Sequence, residues 1–226
     1  MPVIVMASAK GGAGKSTCSV LLATGFARLG AKVTILDCDP SQALSRWARR
    51  GLPSGIRHGG NPGPSEIIKA IQEADGDGNI VIVDLEGVAS QTVSRAISQA
   101  DLVLVPMQAT ALDAEIGSEA LALVREEEEA LRRKIRHAVV LTKTSAAVRS
   151  RVQRDLEEQL AAAGIDVINP TLVNRAAFGE LFALGGDLQF MAADPNVKTG
   201  GRIEGAIENA EAFTEAVYRR LQEEGT

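Results

Sequence analysis

Lys10-Gly11-Gly12-Ala13-Gly14-Lys15-Ser16-Thr17 constrains this chain more than any other stretch. An apolar run, Pro2–Ala9 (PVIVMASA), leads into it. Behind it, Val20, Leu21, Ala23 and Ala27 recur at helical spacing and stop before Gly30, a suitable C-terminal cap. Strand, glycine-rich turn and helix in that order make an anion cradle. Glycines let backbone N–H groups approach phosphate oxygens with no Cβ in the way. The helix N-terminus adds its partial positive charge. Ala9 stands where the common G-x-x-x-x-G-K-[ST] motif has its first glycine.

The expected ligand is ATP with Mg²⁺. Gly11, Gly12, Ala13 and Gly14 supply backbone donors, and Lys15 reaches the β- and γ-phosphates. Ser16 places its hydroxyl on the metal, and Thr17 adds a phosphate hydrogen bond. Lys15 already fills the lysine's duty in this loop, so Lys10 is free for another. It can cross to a nucleotide held by a second subunit and stabilise charge on the γ-phosphate.

The rest of the chain alternates apolar runs with helical patterns. Strands are expected at 32–37, 80–84, 102–106, 138–142 and within 166–173, broken near Pro170. Helices are expected at 42–50, 65–74, 92–99, 113–133, 147–163, 176–184 and 202–221, with a loop over 51–64. Continuous apolar strands mean burial on both faces. Aromatics are only 3% of residues, so the core must be aliphatic. The pattern predicts one α/β domain over residues 1–226, doubly wound, with a mostly parallel sheet flanked by helices. Glu126–Glu129 reads as a solvated helix face.

Two carboxylates end the second strand, in Asp37-Cys38-Asp39-Pro40, and Asp84 ends the third, in Ile80-Val81-Ile82-Val83-Asp84. Strand C-termini in such sheets point at the ligand crevice. One of the first pair orients the attacking water and the other holds a metal-bound water, while Asp84 reaches the metal through water. Gly87 lets the backbone respond to the γ-phosphate. Glu86 has no evident role. Cys18 and Cys38 read as reduced thiols, placed wrongly for a metal or iron–sulfur site.

The K-G-G-A-G-K-S-T segment resembles the deviant Walker A motif of the ParA/MinD family of bacterial ATPases, in which the first lysine marks ATP-dependent sandwich dimers. Within that resemblance the catalytic residues are Lys10, Lys15 and Asp39, with Asp37 assisting. The metal set is Ser16, Asp37 and Asp84, and Thr142 and Arg175 fall at the adenine pocket. Asp113 lies at the dimer interface or caps the long helix, and the cap is favoured. The chain looks most like short partition proteins and VirC-type relatives.

The resemblance implies a cytoplasmic, nucleoid-associated ATPase with slow, partner-stimulated hydrolysis. It implies a homodimer on ATP, nonspecific DNA as partner, and a ParB-like or other adaptor protein. The task is partition, transfer or positioning of DNA or another cargo. A net charge of −5 argues mildly against DNA but allows a local basic patch. Candidates are Arg149, Arg151 and Arg154 on one helix, Lys198 and Arg202, and Arg219 with Arg220. A MinD-like membrane ATPase is one alternative. Its basic amphipathic tail is not matched by the acidic end, and the stripe Ile203, Ala206, Ile207, Ala210, Phe213, Val217, Leu221 reads as core-facing. No apolar stretch reaches the ~18 residues that span a bilayer, and no stable membrane association is expected. A metabolic enzyme on the same fold is the other alternative.

Overall fold

Burial of apolar strands on both faces organises the molecule, seen here in a computed structural model that describes residues 2–75, 79–87, 90–197 and 203–223. The strands are β1 (Val3–Met6), β2 (Val33–Cys38), β3 (Ile56–His58), β4 (Ile80–Leu85), β5 (Leu102–Gln108) and β6 (His137–Thr142). They form one parallel sheet in the order β3-β2-β4-β1-β5-β6. The helices are α1 (Lys15–Arg28), α2 (Ala43–Arg49), α3 (Ile67–Asp75), α4 (Gln91–Ser98), α5 (Ala111–Leu131), α6 (Arg151–Ala162), α7 (Ala176–Leu184), α8 (Leu188–Ala193) and α9 (Ile203–Gln222).

Alternate strand residues feed two cores, because successive side chains point to opposite faces. Ile4 and Met6, Val33 and Ile35, and Ile80 and Ile82 pack with α1, α2, α7, α8 and α9. Val3 and Val5, Leu36, and Val81 and Val83 pack with α3, α4, α5 and α6. Trp47 of α2 is fully buried and donates its indole N–H to the Gly186 carbonyl at 3.0 Å. The expected stripe on α9 does face the core, where Ala206, Ala210, Phe213 and Val217 are buried. None of the described helices is long and apolar enough to cross a membrane.

The structure corrects several expectations. Residues 51–64 are not wholly loop: β3 pairs with the start of β2. The expected strand within 166–173 is absent; only isolated bridges tie Val167 to Val139 and Val173 to Thr144. Helix α8 was not anticipated. Helix α6 begins at Arg151 behind the Ser150 N-cap, so Arg149 lies before the helix and not on it. The run Glu126–Glu129 is only half solvated, since Glu127 accepts from the Ser94 hydroxyl and Glu128 from the Ile135 N–H.

This order puts β1 in the middle. The chain leaves β1 toward β2 on one side and later crosses to β5 on the other. The crevice where the winding reverses opens at the carboxyl ends of β1 and β4, which is where such sheets hold ligands.

Candidate functional site

The loop from β1 to α1 is shaped by its glycines. Gly12 and Gly14 have φ of 78° and 103°, a left-handed region that costs glycine nothing. A Cβ on Gly14 would also stand 3.1 Å from the Thr142 methyl. Two ties from the end of β6 hold the loop from behind: Thr142 donates to the Ala13 carbonyl at 2.8 Å, and the Lys143 ammonium to the Gly12 carbonyl at 2.9 Å. Lys15 is buried, its ammonium 3.3 Å from the Lys10 carbonyl.

Behind the loop lie the carboxylates. Register pairing sets Asp37 of β2 beside Asp84 of β4. Asp84 is fully buried and accepts from the Ser16 hydroxyl at 2.6 Å. Its other oxygen has no partner. Burial raises the Asp84 carboxyl to about 7, helped by the charges of Asp37 and Asp39 and opposed by Ser16 and Lys15. An orphaned carboxylate oxygen next to a serine hydroxyl, in an oxygen-only donor set, fits Mg²⁺ and its water shell. Ser16 and Asp84 would hold the ion there.

The raised value predicts how the metal-free protein responds to pH. The folded state keeps a proton that an ordinary aspartate releases near pH 4. Stability from Asp84 is therefore full below about pH 4 and is lost as pH rises through about 7. Thermal unfolding of Asp84→Asn without nucleotide or Mg²⁺ should show a flatter slope across that window. At pH 8 the variant should be more stable by up to about 4 kcal/mol. A slope matching the native chain would contradict the assignment.

Asp37 sits one layer back from the crevice. It accepts from the Ser45 N–H at 2.8 Å, the Ser45 hydroxyl at 2.7 Å and the Asp39 N–H at 3.3 Å. It therefore anchors the turn that carries Asp39. Ser45 in turn accepts from Asn61 at 2.8 Å and lies 3.0 Å from Nε2 of His58. The Ser45 proton is committed to Asp37, so Nε2 of His58 must carry a hydrogen to satisfy that contact. Burial lowers the His58 pKa, against the pull of Asp37 and with that of Arg49. Asp39 is half-buried and accepts from the Ser41 N–H at 2.8 Å.

Two adjoining cavities complete the site. One, of about 430 Å³, is lined by Gly11, Gly12, Gly14, Lys15, Ser16, Thr17, Asp39 and Arg46 among others. The other, of about 310 Å³, lies between Gly14, Thr17, Thr142, Lys143 and the stretch 172–176. The first suits phosphates and the second a base. Arg175 lines the second with its Nε buried and without a partner. Thr142 spends its hydroxyl on the loop.

Lys10 is held elsewhere. Its ammonium pairs with Asp113 of α5 at 2.9 Å, and Asp113 is 4% exposed. Burial would raise the Asp113 carboxyl, but the Thr110 hydroxyl and Lys10 together take it below its usual range. Asp113 is not the helix cap. Thr110 is, accepting from the Asp113 N–H at 3.1 Å. Gly87 presses on the loop from the other side: a Cβ there would stand 3.1 Å from the Gly11 nitrogen. Glu86 lines a small cavity of about 190 Å³ with Ser8, Ala9 and Glu119. Cys18 is buried and its thiol is pushed well up; that of half-buried Cys38 rises to about 12. In both, burial leads, followed by neighbouring carboxylates.

The segments Leu141-Thr142-Lys143 and Ser45-Arg46-Trp47 resemble the family in sequence, but the tie from Lys143, the place of Arg46 on the phosphate cavity and the Ser45–His58–Asn61 support come only from the structure. Lys143 directly follows a strand that ends at the crevice, and that position was the available signal. Among the expected DNA contacts, Lys198 and Arg202 lie outside the described residues. Arg149 pairs with Glu157 at 3.3 Å, Arg151 with Asp155 at 3.7 Å, Arg219 with Glu215 at 3.6 Å and Arg220 with Asp166 at 2.9 Å. Arg154 donates to the Arg149 carbonyl at 3.5 Å.

A cradle floored in this way is the phosphate site of a P-loop nucleotide-binding domain. The chain belongs to the CobQ/CobB/MinD/ParA nucleotide-binding family, whose model matches residues 4–186. It is 51% identical over 224 residues to the protein ParA of Rhizobium radiobacter, with 99% of each chain covered. It is 27% identical over 210 residues to the protein virC1 of Rhizobium rhizogenes, covering 88% of this chain and 89% of that one. Cobyrinic acid a,c-diamide synthase from Mycobacterium smegmatis, solved with an ATP analogue and magnesium, superposes with a TM-score of 0.68. Its identity is 17%, and the match covers 98% of this chain and 96% of that one, a likeness of fold.

Proposed function

We propose that this chain is an ATP- and Mg²⁺-dependent ParA-type ATPase. On ATP it forms a homodimer that binds DNA without sequence preference and drives partition, transfer or positioning of DNA or another cargo. Hydrolysis is slow and is stimulated by an adaptor protein.

The placement of Lys10 carries this reading. A lysine at the mouth of the loop is held 2.9 Å from Asp113 and does not line the phosphate cavity. Its charge has no task on its own nucleotide, which Lys15 already serves. A nucleotide presented by a second copy gives it one. The 51% identity to ParA favours this over a metabolic enzyme of the same fold. Mg²⁺, if held by Ser16 and Asp84, would supply positive charge against that of the phosphates. Lys15 clamps the β- and γ-phosphates. Ser16 and Asp84 hold the metal and its water. Asp39 orients the attacking water, with its turn fixed by Asp37. Arg175 faces the base.

The test is DNA binding by the purified protein with ATP, with ADP and without nucleotide, at two salt concentrations. Binding should require ATP, weaken with salt and ignore sequence. Binding in no state, or equally in all, refutes the DNA and dimer parts of the proposal.

A further inference from the structure

The basic residues that stand out in the sequence are a poor guide to where charge is available. Arg149, Arg151, Arg219 and Arg220 each sit against a carboxylate. A paired arginine brings little net charge to a phosphate. Arg132-Arg133-Lys134-Ile135-Arg136, which joins α5 to β6, behaves differently.

Arg133 rests on the Ser98 and Ala100 carbonyls at 2.8 and 3.4 Å. Arg136 rests on the Asp101, Leu221 and Glu223 carbonyls at 3.1, 3.2 and 2.9 Å. Carbonyls orient a guanidinium without cancelling its charge. Among the described residues, no carboxylate forms an ion pair with Arg125, Arg132, Arg133 or Arg136. Lys134, 90% exposed, touches Glu128 at 3.6 Å, and Glu128 also holds the Ile135 N–H. Glu129 is the remaining acid on the cleft wall.

Arg132 also stands in a left-handed conformation at the end of α5, with φ of 52°. Glycine normally takes that position, and an arginine there costs about 1 kcal/mol. The turn does not call for an arginine, so the side chain accounts for it. Together Arg125, Arg132, Arg133 and Lys134 wall a cleft of about 530 Å³. It lies at the amino end of β6, the opposite end of the sheet from the phosphate loop, so a bound nucleotide leaves it open.

We infer that this cleft is the surface that takes the DNA backbone, with Arg125, Arg132 and Arg133 contacting phosphates and Arg136 supplying fixed field. The inference rests on the DNA-binding part of the function proposed above. Duplex DNA fits better than an anionic membrane, because the site is a recess with one exposed apolar neighbour, Leu131, and no apolar wedge to insert.

The test compares the native chain, Arg125→Ala/Arg132→Ala/Arg133→Ala, and Arg149→Ala/Arg151→Ala. Each is titrated with random-sequence duplex in ATP over a salt series, after fluorescent-nucleotide binding confirms the fold. The triple variant should lose roughly tenfold in affinity per contact near 0.1 M salt, and its salt slope should shrink by about one per contact. The double variant should match the native chain. Arg132→Gly, which relieves the left-handed turn, guards against misfolding and should lose affinity in the same direction.

A triple variant that binds nucleotide and DNA like the native chain overturns the inference and leaves the proposed function standing. No DNA binding by the native chain in ATP overturns both. Binding to phosphatidylglycerol vesicles in place of DNA overturns it in favour of a membrane.

Discussion

Lys15→Ala is expected to weaken ATP binding by about 10²- to 10⁴-fold. In the proposed complex the substitution would remove an ammonium facing two phosphates, and charge-assisted bonds contribute about 1.5–3 kcal/mol each. Arg46 and Lys143 also line the cavity, but both are exposed, whereas Lys15 is buried at the loop. Lys10 is tied to Asp113, and Lys143 spends its ammonium on the Gly12 carbonyl. Lys10→Ala makes the informative comparison. It should leave ATP affinity within about threefold, because Lys10 does not line the phosphate cavity. Calorimetric titration with ATP and Mg²⁺ measures both. Retained affinity in Lys15→Ala, or an equal loss in Lys10→Ala, would contradict the division of labour between the two lysines.

Asp39→Ala should bind ATP normally and hydrolyse it about 10²- to 10⁴-fold more slowly, the usual range for losing a positioned acid–base group. The side chain is half-buried at the cavity wall and, among the described residues, accepts from the Ser41 N–H alone. Its removal orphans little. Asp37→Ala should act differently, since it strips the acceptor from Ser45 and from the turn itself. That variant should lose thermal stability as well as hydrolysis. Phosphate release and a melting curve on both variants separate the roles. Normal hydrolysis by Asp39→Ala would remove it from the reaction.

Local chemistry explains what could be read from the sequence. The loop at residues 10–17 and the strand-end carboxylates announce themselves because residue type and spacing alone dictate their use. Helix and strand positions followed from apolar periodicity. β3 was hidden because three residues, Ile56–His58, lie among glycines and prolines. Segment 166–173 read as a strand because it is apolar, yet its backbone meets β6 only at Val139 and Leu141, on either side of Pro170, and forms no continuous ladder. The support from Ser45, Asn61 and His58 joins parts of the chain that only the fold brings together. The pairing of two candidate arginines was also legible: Arg151–Asp155 and Glu215–Arg219 stand at i,i+4, the spacing of ion pairs on a helix.

The same short strand and broken segment bear on how the protein behaves when crowded. An open sheet offers its outermost strands as templates for other chains. Here one border, β3, is three residues long. The other, β6, is touched along its outer side by Val167 and by the Leu172 N–H, a stretch interrupted by Pro170. Neither border presents a long unpaired ladder, so locally concentrated copies have little to stack upon.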